Sequence, residues 1–85
     1  MDDELILATM LKIQRYLHSN PESADTLDGV HSYWIQSPEL KAITQAALER
    51  LENTGIVERM AYGRDNVLWR RPRNADGDAN NASKT

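Results

Sequence analysis

The chain has 85 residues, 40% apolar and 27% charged, which suits one small globular domain and leaves no room for a second. It has no cysteine, so disulfides, thiolate nucleophiles and cysteine-type zinc sites are excluded. No apolar run approaches the roughly 20 residues of a membrane span. A domain this small without disulfide staples fits a reducing interior such as the cytoplasm, and it opens on Asp2, Asp3 and Glu4 rather than on a basic signal-peptide start.

The net charge of −3 argues against a chain that coats phosphates from every side. The charge is unevenly spread. Up to residue 58 acids predominate, whereas Arg59, Arg64, Arg70, Arg71 and Arg73 gather against the single acid Asp65.

The first predicted element is an amphipathic helix over 3–18. Ile6, Met10, Ile13 and Leu17 recur at i, i+4, i+7 and i+11 and so share one stripe. Asp2, Asp3 and Glu4 suit the positive end of its dipole, and Asn20-Pro21 ends it. Leu7 and Leu11 lie off the stripe. They either broaden the core face or form a dimer contact through this helix.

Asp25 or Thr26 caps a second, shorter helix that buries Leu27, Val30 and Trp34. Gly29 inside it costs about 1 kcal/mol relative to Ala. Ser37 as N-cap and Pro38 at the first helical position open a third helix over 38–54. Leu40, Ile43, Ala47, Leu48 and Leu51 form its inner stripe, and Lys41, Ala42, Thr44, Gln45 and Glu49 point outward. Gly55 is a left-handed stop. Residues 56–62 and 67–71 read as strands joined by Gly63-Arg64-Asp65-Asn66, and Pro72 ends the second. The domain is thus 1–73. Residues 74–85 form a polar tail without a large apolar side chain to repay its ordering entropy.

The segment Ala47-Leu48-Glu49-Arg50-Leu51-Glu52-Asn53-Thr54-Gly55-Ile56-Val57-Glu58-Arg59 resembles the end of the recognition helix and the first wing strand of bacterial winged-helix regulators. In those families a Leu-x-x-Leu-x-x-x-Gly-apolar-apolar segment precedes a basic hairpin. Tyr62 to Arg70 looks like the wing tip and return strand. The resemblance covers roughly residues 3–72. It implies an α+β fold of the winged helix-turn-helix type, three helices followed by a two-stranded β wing. It also implies a DNA-binding transcription regulator, with helix 38–54 in the major groove and wing 63–66 on the backbone or minor groove.

In that reading Lys41 meets a phosphate or guanine, Gln45 an adenine and Thr44 either, while Ser37 leaves backbone N–H groups toward a phosphate. Arg64 reaches the minor groove or backbone, with Arg59, Arg70 and Arg71 behind it as phosphate clamps. Plainer readings stand beside these. Lys41 and Gln45 suit a solvated helix surface, and Arg59, Arg70 and Arg71 can pair across the hairpin with Glu58 and Asp65. Glu39, Glu49 and Glu52 make the outer side of the third helix acidic, which favours an alternative: a winged-helix protein-interaction module without DNA binding. That module would use the acidic face, or Leu7 and Leu11, to hold a partner chain.

His18 and His31 stand thirteen apart without a zinc pattern. Asp76, Asp78 and Asn80 mimic the first ligand spacings of a calcium loop that lacks its Gly and Glu. No phosphate loop, nucleophile elbow or Ser/His/Asp set is visible. The expectation is therefore no enzyme, no metal and no cofactor.

Overall fold

The computed structural model describes residues 2–72; Met1 and residues 73–85, which hold the expected polar tail and the calcium-loop mimic, lie outside the described residues. Helix α1 (Asp3–Ser19) starts where the Asp2 carboxylate accepts from the backbone N–H groups of Glu4, at 2.9 Å, and Leu5, at 3.3 Å. Its fully buried stripe is Ile6, Thr9, Ile13 and Leu17. Met10, expected in that stripe, is half-buried at its edge, and Thr9 takes the place. A threonine is tolerated there because its hydroxyl donates to the Leu5 carbonyl at 2.7 Å. Leu7 and Leu11 remain 52% and 54% exposed, so they do not broaden the core face.

Strand β1 (Ala24–Asp25) leads through Thr26 into helix α2 (Leu27–Gly29), which continues as a π-helical segment (Val30–Trp34). Of the two candidate caps, Thr26 serves: its hydroxyl accepts from the Gly29 N–H at 3.2 Å. The Asp25 carboxylate instead accepts from the Thr26 N–H at 2.8 Å and fills the space a Cβ on residue 29 would need. Glycine here lets β1 fold back closely on α2, which offsets its helical cost. Gln36, at φ 44°, turns the chain out of the π segment. Trp34 is buried and stacks on Tyr16, ring centroids 4.7 Å apart.

Helix α3 (Lys41–Asn53) begins three residues later than Ser37-Pro38 predicts. The Ser37 hydroxyl accepts from the Glu39 N–H at 3.1 Å within a turn, and Leu40 is the extended residue before the helix. Leu40 is therefore 77% exposed and not part of the inner stripe, which consists of Ile43, Thr44, Ala47, Leu48 and Leu51. Gly55, at φ 79°, is the left-handed stop, and the Ile56 N–H donates to the Leu51 carbonyl at 2.8 Å.

Strands β2 (Glu58–Tyr62) and β3 (Asn66–Arg70) form an antiparallel hairpin that turns at Gly63, φ 66°. The sheet has three strands in the order β1-β3-β2, not the two expected. The added strand pairs Ala24 with Arg70 and Asp25 with Trp69. The architecture is α+β, with three helices and a three-stranded antiparallel sheet. Val57 and Trp69 tie the ribbon into the core formed by α1, the π segment and α3. Among the described residues no helix is long and apolar enough to cross a membrane.

Candidate interaction surfaces

Two surfaces collect the residues that the sequence singled out. One is the side where α3 faces the ribbon; the other is the outward face of α1.

Between α2, α3 and the ribbon runs an open cleft lined by residues that include Asp28, Lys41, Gln45, Arg59, Asp65 and Trp69. Lys41, Gln45 and Arg59 are each engaged by an acid. Lys41 forms an ion pair with Asp28, and Gln45 donates to Glu49 at 2.8 Å. Arg59 makes two parallel hydrogen bonds to Glu52, each 2.8 Å, and its guanidinium lies over the Trp69 ring, 4.6 Å from the centroid. This contact holds the Glu52 carboxyl below the usual carboxylate range and raises Arg59 further.

Thr44, expected to read bases, is fully buried. Its hydroxyl lies 2.7 Å from His31 Nδ1, so it joins α3 to the π segment. The sequence carried the signal, since Thr44 falls three, four and seven residues before Ala47, Leu48 and Leu51. Ser37 is half-buried in its turn and does not cap α3.

The arginines of the ribbon are not gathered on one side. Alternation along a strand sends Arg59, opposite Trp69, to one face and Arg70, opposite Glu58, to the other. Arg70 donates to Glu58 at 2.6 Å, the cross-hairpin pair the sequence allowed. Arg59 pairs instead with Glu52 on α3, a contact seven residues apart across the Gly55 turn that helical or strand periodicity does not indicate. Arg71 is half-buried beside a cleft that Gln14, His18 and Ile56 also line. Arg64 sits exposed at the hairpin tip and makes no ion pair among the described residues.

Comparison with known proteins finds no matching family model, no matching curated protein and no matching solved structure. The reading of these surfaces therefore rests on their own chemistry.

On α1, Glu4, Leu7, Leu11, Lys12 and Arg15 are exposed. Asp3, beside them, is bound by Arg50 of α3 at 2.7 Å, and that guanidinium lowers its carboxyl from the ordinary value. Glu4, Lys12 and Arg15 make no ion pair among the described residues. Further exposed apolar side chains are Tyr33, Leu40 and Tyr62. Among the described residues no group of three or more His, Asp and Glu side chains is placed to hold a metal ion.

Proposed function

We propose that this chain is a winged-helix domain that works as a protein-interaction module. The observation that carries this reading is the charge on the α3 side. Lys41 and Arg59 share that side with Asp28, Glu49, Glu52 and Asp65, and both cations are closed by those acids. A phosphate backbone approaching there meets more negative charge than positive, whereas DNA binding draws its affinity from neutralising phosphates. The exposed leucines of α1 offer what a polypeptide partner takes up instead: apolar surface beside unpaired charge. The order of helices and strands, with Gly55 stopping α3 before a hairpin, supports the winged-helix assignment.

One observation favours a second reading, a winged-helix DNA-binding transcription regulator. Arg64 stands exposed at the hairpin tip with no ion pair among the described residues, where a wing would touch the backbone or minor groove, and Lys41, Gln45 and Arg59 would follow once their present contacts opened. Titration of a labelled duplex of mixed sequence separates the two. The interaction-module reading expects no saturable change in anisotropy at low salt. Binding that tightens as salt falls, and weakens in Arg64→Ala, would establish the DNA reading in its place.

A further inference from the structure

We infer that the partner taken up by α1 is a second copy of this chain, and that the two α1 helices pack side by side in antiparallel orientation. This deepens the interaction-module reading and rests on it. At 100° per residue, Glu4, Leu7, Leu11, Arg15 and His18 fall within an arc of roughly 80°. That arc lies opposite the buried stripe of Ile6, Thr9, Ile13 and Leu17, and all five of its residues are exposed. The buried side of α1 packs against α3 and the π segment. Among the described residues its outward face is not covered.

Charge fixes the orientation. The face is acidic at its N-terminal end, at Glu4, apolar at its centre, at Leu7 and Leu11, and basic toward its C-terminal end, at Arg15. A parallel pair would set Glu4 against Glu4 and Arg15 against Arg15. An antiparallel pair about a two-fold axis beside Thr9 sets Leu7 against the partner's Leu11, and Glu4 within one residue of the partner's Arg15. Each contact then occurs twice, as two-fold symmetry requires. Among the described residues Glu4 and Arg15 form no ion pair, so pairing breaks none of the contacts described. Two leucines per copy are a small apolar centre, so the association is weak and sensitive to salt.

The test is sedimentation equilibrium of the full chain over a range of concentrations at low and high salt, with circular dichroism to establish equal helicity of each variant. The wild type is expected to show a monomer–dimer equilibrium that shifts toward monomer as salt rises. Leu11→Glu should be monomeric throughout. Glu4→Lys and Arg15→Glu should each weaken the dimer about tenfold, the effect of two like-charge contacts of roughly 0.7 kcal/mol each. The double variant Glu4→Lys with Arg15→Glu should recover affinity to within about threefold of wild type. A wild type that stays monomeric, a dimer indifferent to Leu11→Glu, or charge variants that do not compensate each other would overturn the inference. A chain that neither dimerises nor binds duplex DNA removes only this pairing. One that dimerises and also binds duplex DNA keeps the pairing and removes the interaction-module reading.

Discussion

The β2–β3 ribbon and the outward face of α1 hold their charges in opposite ways. On the ribbon, Arg59 and Arg70 lie on opposite faces of the sheet and are closed by Glu52 and Glu58. On α1, Glu4, Lys12 and Arg15 stand in solvent around two exposed leucines. A count of arginines along the sequence makes the ribbon look like the contact surface. Their engagement in the fold is the ground for proposing the helix instead, because a side chain already satisfied has less to offer a partner. The lesson concerns where charge remains available, not how much of it there is.

The strongest way to break this comparison is to show that the two regions do not differ in their attachment to the core. Trp69 is 2% exposed at the base of the ribbon, so Trp69→Ala should cost about 3–5 kcal/mol in urea denaturation. Leu11→Ala, measured below the dimerisation range, should change stability by less than about 0.5 kcal/mol. Comparable losses would place Leu11 in the core and remove α1 as a docking face. The inner edge of the ribbon depends on Gly29, whose missing Cβ leaves room for Asp25, the residue paired with Trp69. Gly29→Ala should therefore destabilise by about 1–2 kcal/mol, although the same change in an ordinary helix gains about 1 kcal/mol.

A smaller effect sharpens the electrostatic half of the comparison. The Glu52 carboxyl titrates below its ordinary value because Arg59 binds it. Its contribution to stability is thus present above the unfolded glutamate range and is lost as pH falls through the depressed value. In Glu52→Gln, stability should fall less steeply on acidification below about pH 5, with a loss near neutrality of about 0.5 kcal/mol. A pH profile identical to wild type would mean that the Arg59–Glu52 clamp is not formed in solution. The least change is expected from Arg64→Ala, which touches neither core nor ion pair and should leave the denaturation midpoint unchanged.

Much of the fold was legible because its long elements have strong periodicity. The α1 stripe, the Trp34 anchor, the Gly55 stop and the ribbon all follow from apolar spacing and turn chemistry. Strand β1 was not legible, since two residues show no alternation and are held by pairing with distant Arg70 and Trp69. The start of α3 was misplaced because Ser37-Pro38 has the composition of a helix cap, yet its hydroxyl is drawn into a turn and Leu40 stays extended. Polarity alone turns Thr44 outward, whereas its spacing places it on the buried stripe and His31 satisfies it there. On the candidate surfaces, residue type alone could list Arg59, Arg70 and Lys41 as phosphate contacts. That Glu52, Glu58 and Asp28 answer them depends on how strands and helices meet, which spacing along one element does not carry.

The most direct test of the central claim is an anisotropy titration of labelled mixed-sequence duplex DNA with the full chain at low salt, repeated with Arg64→Ala. With Arg59 and Arg70 held by acids, neither protein should give a saturable signal. A wild-type isotherm that saturates and tightens steeply as salt is lowered would show the α3 side to be a phosphate-binding surface, contrary to this account.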